Sequence, residues 1–329
     1  MPSAAQPAHI EYERAGLRLG GTPLWFDARK PRELSFVSSA RAAVAPHARL
    51  ICTDATQRLL RLQDVGSLSL TPPYRRPFSL GALSLELFPA GHILGSAQMR
   101  VAHEGRTVVY TGALSLERNG LGEPAEIAGC DTLVLEATYG HPRYVLPPRA
   151  ETLAKLDKFV DDALSDGVTP VLLALSLGTA QELFVHLGKR GHVLRAHRSA
   201  IDIARVYESC GTKMPRLKLF RGPVARGDVV IFPPHLSRSR ALEALPRRRT
   251  CLLSGWVMDA GVPAAHSVDC GLPLSGHADF PQLVRVAKES GAARVYTVHG
   301  YAVELARALT ALGLDARPLQ PAGQLDLFA

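Results

Sequence analysis

Four residues of the chain stand where apolar runs end. The run Glu86-Leu87-Phe88-Pro89 leads into Gly91-His92-Ile93-Leu94-Gly95-Ser96-Ala97, a histidine held between glycines. Leu133-Val134-Leu135 ends in Glu136, and Val295-Tyr296-Thr297-Val298 ends in His299. His277 lies in Ser275-Gly276-His277-Ala278-Asp279. Side chains at strand ends are aimed by a rigid sheet, which is where α/β folds place chemistry. Three imidazoles and one carboxylate are proton-transfer groups and potential metal ligands. A further run, Val108-Val109-Tyr110-Thr111-Gly112, ends in Ala113.

The elements that must position these groups differ along the chain. Residues 8 to 37 read as short strands broken by Gly and Pro, and Arg49–Thr53 reads as a further strand. Asp54-Ala55-Thr56 is placed to cap a helix over Gln57–Leu62. The flanking Leu133, Val134 and Leu135 imply that both faces of the strand ending in Glu136 are covered. From about residue 149 helical and strand patterns alternate, with helices over Glu151–Leu164, a stretch ending at Lys189, and Ser199–Cys210. That alternation implies a parallel sheet. Asp279 with Pro281 starts a helix through Glu289.

The 329 residues are 47% hydrophobic and 21% charged, enough for one or two domains with a sizeable core. No apolar run approaches the ~20 residues of a membrane span, and the first residues lack a secretory signal pattern. A cytoplasmic location is expected. The five cysteines are scattered without a Cys-x-x-Cys pair and read as reduced thiols. A formal charge of +8 is compatible with a polyanionic partner. Nucleophile-elbow and phosphate-loop signatures are absent. Neither His47, His103 and His141 nor His186, His192, His197 and His235 have ligand-like spacing.

The ordered set of motifs at 91–97, 110–112, 135–140, 177–183, 275–279 and 298–300 resembles the β-CASP branch of the metallo-β-lactamase fold. That branch includes ligase-associated DNA exonucleases and messenger-RNA 3′-end processing factors. The resemblance covers residues 34 to 312. It implies an α/β fold: an αββα metallo-β-lactamase sandwich over 1–141 and 272–320, with a β-CASP-like α/β insertion at 142–271 and a tail at 321–329. It also implies roles. The family holds two zinc ions, which generate a nucleophilic water and clamp an attack on phosphorus. His92 and His299 match two of its ligands. His277 matches a proton donor and Glu136 the acid that orients it. At five further ligand positions this chain has Ser39, Arg41, Ala43, Val44 and Ala113. With two ligands matched where a catalytic zinc takes about three, no bound metal is expected.

The resemblance therefore implies a nuclease scaffold whose own chemistry is lost. DNA is the expected partner, with RNA as the alternative. Arg143, Arg149, Lys189, Arg190 and Arg195 are candidates for phosphate contacts. The C-terminal Gln324-Leu325-Asp326-Leu327-Phe328 resembles the peptide by which bacterial repair proteins dock on the sliding clamp. Gln324, Leu325, Leu327 and Phe328 would make that contact. The expected function is a non-catalytic partner of a ligase, helicase or clamp in DNA repair. The alternatives are an active DNA or RNA phosphodiesterase with a rearranged site, and a structural protein without nucleic-acid contact.

Overall fold

A computed structural model describes residues 10–13, 16–42, 45–65, 67–222 and 224–319. Ala43, Val44 and the clamp-like residues Gln324, Leu325, Leu327 and Phe328 lie outside the described residues. Two compact units result: Met1–Val145 with His277–Ala329, and Leu146–Gly276.

The first unit begins with β1 (Ile10–Glu13), β2 (Gly16–Leu19), β3 (Leu24–Phe26), β4 (Leu34–Phe36), β5 (Arg49–Ile51), α1 (Asp54–Arg61) and β6 (Leu68–Leu70). It continues through β7 (Phe78–Leu80), β8 (Leu83–Pro89), β9 (Ala97–His103), β10 (Arg106–Tyr110) and β11 (Thr132–Glu136). Helix α1 starts earlier than the sequence suggested. Thr53, not a residue of Asp54-Ala55-Thr56, is its N-cap, accepting from Thr56 N at 3.1 Å. Asp54 falls in the first turn, where the helix dipole favours a negative charge.

The second unit contains α2 (Arg149–Ser165), β12 (Thr169–Leu173), α3 (Thr179–Lys189), β13 (Val193–Ala196), α4 (Arg198–Ser209), β14 (Leu217–Leu219) and β15 (Asp228–Phe232). Then follow α5 (Arg240–Glu243), β16 (Arg248–Leu253), α6 (Gly261–Ala265) and β17 (Cys270–Leu272). The chain returns to the first unit with α7 (Phe280–Glu289), β18 (Arg294–Val298), α8 (Ala302–Ala311) and β19 (Ala316–Pro318). Asp279 caps α7 by accepting from Gln282 N at 3.2 Å.

In the first unit two sheets face each other, ordered β1-β2-β3-β4-β5-β6 and β19-β18-β11-β10-β9-β8-β7. Alternation along the strands explains why runs such as Thr132–Glu136 are apolar on both sides. Val108, Tyr110, Val134 and Val298 enter the core between the sheets with Phe26, Phe36 and Leu87. Val109, Leu133, Leu135 and Val295 face α7 and α8, meeting Leu283, Val286, Leu305 and Leu309. By the same parity Glu136 lies on the inter-sheet side. Strands β10, β11 and β18 are parallel neighbours, pairing Tyr110 with Val134 and Glu136 with Val298. Their carboxyl ends are therefore level, and so are the loops that leave them. The architecture is an αββα metallo-β-lactamase sandwich.

The second unit is an inserted α/β domain with an all-parallel sheet ordered β14-β13-β15-β12-β16-β17. Leu172, Ile231, Cys251 and Leu253 pack toward α2, α3 and α4. Val171, Leu173, Val230 and Leu252 pack on the opposite face with Phe220, Leu242 and Leu245. Among the described residues of the chain, no helix is long and apolar enough to cross a membrane.

Glycine is required where the His92 loop turns. Gly91 has φ +71°, and a Cβ there would sit 2.2 Å from the Ser115 carbonyl oxygen and 2.5 Å from Ala125 N. Gly81 has φ +58° but open space around it. Gly91→Ala is expected to cost more than ~3 kcal/mol, combining left-handed strain with a backbone clash. Gly81→Ala is expected to cost only about 1 kcal/mol, from the conformation alone. Urea unfolding of the two variants checks the difference.

Candidate functional site

Every element that ends at the level of β10, β11 and β18 contributes to one polar cluster in the first unit. Ser96 fixes the His92 loop: its Oγ accepts from His92 N at 3.0 Å and Ile93 N at 3.2 Å, and donates to Ile93 O at 2.8 Å. Thr53 and Thr56 hydroxyls donate to Gly95 O at 2.6 and 2.9 Å, and Tyr74 OH donates to Ser96 O at 2.9 Å. His92 is buried, and its ring centroid lies 4.3 Å from that of His277. Tyr139 meets His277 edge-on at 6.0 Å. His299 follows β18 with φ +61°, a left-handed conformation that a non-glycine residue adopts only under local constraint.

Glu136 is 5% exposed. Its Oε1 accepts from Thr138 N at 2.8 Å and from the Thr138 hydroxyl, while Oε2 lies 3.7 Å from His277 Nδ1. Burial pushes this carboxyl up, but His277, Thr138 and His299 together outweigh burial and hold it below the usual carboxylate range.

Asp27 is the residue the sequence reading missed. It follows β3 with φ +44°, and its carboxylate accepts from Ser38 N at 2.7 Å, Ser38 Oγ at 2.6 Å and Tyr110 OH at 2.7 Å. Burial drives its pKa up, against the lowering effect of Ser38, Tyr110 and His299. The signal was present: an acid directly after the buried strand Leu24-Trp25-Phe26, the same pattern that singled out Glu136.

Ser39 is buried and Arg41 half-buried in the turn after β4, and Ala113 follows Gly112 at the end of β10. The residues present do not fit the two zinc ions that the resemblance implies. Among the described residues, no three of His, Cys, Asp and Glu are grouped as metal donors. Ala113 has no donor side chain, and Arg41 offers a cation that cannot be deprotonated. What remains can hold and move protons: the His92–His277 pair, the Glu136 carboxylate beside it, and the hydrogen-bonded Asp27.

The proposed phosphate-contacting cations are placed less freely than expected. Arg149 is 11% exposed in an ion pair with Glu182, and also donates to Ser275 O. Arg195 is 21% exposed against buried Asp228. Both sit in ion pairs with buried carboxylates of the second unit. Arg190 spans Asp157 and Asp161 at 2.8 and 2.7 Å. Arg143 donates to the Tyr144 and Tyr301 hydroxyls and lies over both rings, at 4.8 and 5.2 Å. Lys189 is exposed at the end of α3.

No protein-family profile matches the chain. A probable DNA ligase of Opitutus terrae is 35% identical over 316 residues, covering 95% of this chain and 31% of that protein. An RNase J-like protein of Methanocaldococcus jannaschii is 25% identical over 157 residues, 42% of this chain and 37% of that protein. A ribonuclease of Thermus thermophilus is 35% identical over 116 residues, 35% of this chain and 26% of that protein. The chain thus spans about a third of the length of these relatives. A solved protein of unknown function from Enterococcus faecalis V583 shares the fold, with a TM-score of 0.59 at 12% identity over 88% of this chain and 79% of that one. The two facing sheets and the inserted parallel α/β unit define a metallo-β-lactamase-fold protein. Within that class its relatives are β-CASP metallo-β-lactamase nucleases.

Asp27 and the Arg149 pair each yield an expected outcome. A carboxyl with a raised folded pKa gives stability that is full below its unfolded value, near 3.8, and lost as pH rises through the folded value. Asp27→Asn removes that loss. Its stability relative to the wild type should therefore climb as pH rises from about 4, as read by urea unfolding across a pH series. Arg149→Ala, which removes the ion pair to buried Glu182, is expected to cost stability measurably more than Lys189→Ala in the same urea unfolding assay. Lys189→Ala should change stability by less than ~0.5 kcal/mol.

Proposed function

We propose that this chain binds DNA as a non-catalytic member of the β-CASP family and works beside a DNA-joining enzyme. One observation supports the reading: the strand ends are aimed at a common site, while Ser39, Arg41 and Ala113 stand where the resemblance expects metal donors. The ligase side is supported by the alignment, since 95% of the chain matches 31% of a protein named a probable DNA ligase. A basic surface supports polyanion binding, with the formal charge at +8 and exposed cations such as Lys189. In this proposal the chain works in the cytoplasm, its partners include a ligase or helicase, and Gln324, Leu325, Leu327 and Phe328 engage a sliding clamp. RNA is the alternative nucleic acid.

A second reading rests on a specific arrangement. The 4.3 Å His92–His277 contact and the 3.7 Å approach of His277 to Glu136 are the geometry of an acid–base pair with its orienting carboxylate. They favour a phosphodiesterase with a rearranged site in which His92, Glu136, His277 and His299 act.

The two readings separate in one set of measurements on protein purified without chelator. Expected are zinc well below one ion per chain, no degradation of single- or double-stranded DNA, and DNA affinity that falls steeply with salt. Several phosphate contacts weaken binding about a thousandfold between roughly 50 and 200 mM salt. Lys189→Ala should lower the salt slope by about one. Two zinc ions per chain, with degradation abolished by His92→Ala, would overturn the proposal in favour of the active enzyme. No DNA binding at low salt, with a stable ligase complex instead, would leave a purely structural role.

A further inference from the structure

Two of the five cysteines, far apart in the sequence, are direct neighbours in the fold. Strands β16 and β17 are parallel, and their register pairs Cys251 with Cys270, Leu252 with Gly271 and Leu253 with Leu272. Paired residues share a face, and the core agrees. Cys251, Leu253 and Leu272 belong to the cluster facing α2, with Cys270 packed against it, whereas Leu252 points to the opposite cluster. Neighbouring strands lie about 4.8 Å apart, within the roughly 4.4–6.8 Å that separates the Cα atoms of disulfide-bonded cysteines. Both residues are free thiols here, Cys251 buried and Cys270 half-buried.

We propose that Cys251 and Cys270 form a reversible oxidation site, at which a hydroperoxide converts the two thiols into an intramolecular disulfide joining β16 to β17. The two positions divide the chemistry. Cys270 is reachable from solvent, and the thiol of Cys251 stabilises its thiolate by hydrogen bonding, which holds its pKa below the ordinary cysteine value. The same contact, followed by burial, pushes Cys251 well above it. The Cys270 thiolate attacks one peroxide oxygen. A sulfur–oxygen bond forms, the oxygen–oxygen bond breaks, and hydroxide leaves and is protonated to water. Cys251 then attacks the sulfur of the resulting sulfenic acid. The disulfide bond forms, the sulfur–oxygen bond breaks, and the departing hydroxide takes the Cys251 proton. In sum, two thiols and one hydrogen peroxide give one disulfide and two waters.

The other cysteines lack this arrangement. Burial pushes Cys52 and Cys130 up to about 12, and Cys210 stands beside Ser209 at the end of α4. The location also gives the bond a structural effect. β17 is an edge strand, and a Cβ on Gly271 would lie 3.1 Å from Pro263 and Val257 of the crossover between the two strands. A disulfide would fasten that edge and the crossover packed on it to β16.

The test treats the full chain with a small excess of hydrogen peroxide, alkylates the remaining thiols, and maps peptides by mass spectrometry. Free thiols should fall from five to three, with one linked peptide pair containing Cys251 and Cys270 and the loss of two hydrogens. Dithiothreitol should restore all five, and the oxidised form should unfold several degrees higher. In Cys251→Ser, Cys270 should persist as a sulfenic acid that dimedone traps. The peptide map of the wild type decides the matter even if that variant folds poorly. The proposal is overturned if all five thiols survive, or if Cys270 proceeds to sulfinic acid while Cys251 stays a thiol.

Discussion

The Asp27 carboxylate is shared between two sheets. It follows β3 in one sheet, accepts from Ser38 beyond β4 in the same sheet, and accepts from Tyr110 at the end of β10 in the other. Three donors from two sheets converge on this half-buried carboxylate, which ties the strand ends around it together. Tyr110 in turn packs against Phe26 at 5.0 Å and edge-on to Phe36 at 6.3 Å, the last residues of β3 and β4. One phenol thus fastens the apolar core to the polar site through opposite ends of the same ring. The turn after Ser38 passes Gly112, where a Cβ would come within 2.4 Å of Ser38 Cβ, so the loops from both sheets meet without room for a side chain.

The backbone of the site and its side-chain chemistry are held by different residues. The backbone around His92 is set by Gly91, Gly95 and Ser96, and that around His299 by Gly300, where a Cβ would lie 2.4 Å from Ala137 O. None of these contacts involves a metal donor. A fold of this kind can exchange its site residues while its sheets remain, so the family assignment and the activity require separate arguments.

What was legible in the sequence follows the same division. Glu136 and His299 each end a run of apolar residues that only a doubly covered strand explains, and the fold brings both to one level. His92 was legible through its flanking glycines. Asp27 carried the same strand-end signal but was passed over, because Gly20-Gly21-Thr22-Pro23 and the short strand after it read as turn and β-rich connection rather than as one wall of a site. Arg149 and Arg195 looked like surface charge because their partners, Glu182 and Asp228, lie 33 residues away in each case. The Cys251–Cys270 pairing was hidden for a related reason. Parallel strands are joined by crossovers, so residues that touch are never close in sequence, and no local spacing announces them.

The two carboxyls of the site, buried Glu136 and half-buried Asp27, are pushed in opposite directions. Asp27 is surrounded by neutral donors, and burial prevails over them. Glu136 has fewer neutral donors but two histidines nearby, and their influence prevails over burial. Divalent cations at the same place would depress both groups together, since a bound ion is the largest local charge in any such site. In the structure, the charge of the two groups is answered by imidazoles on one side and neutral donors on the other. The side of the cluster near Glu136 is thereby suited to pairing with positive groups, and the side near Asp27 to holding a proton.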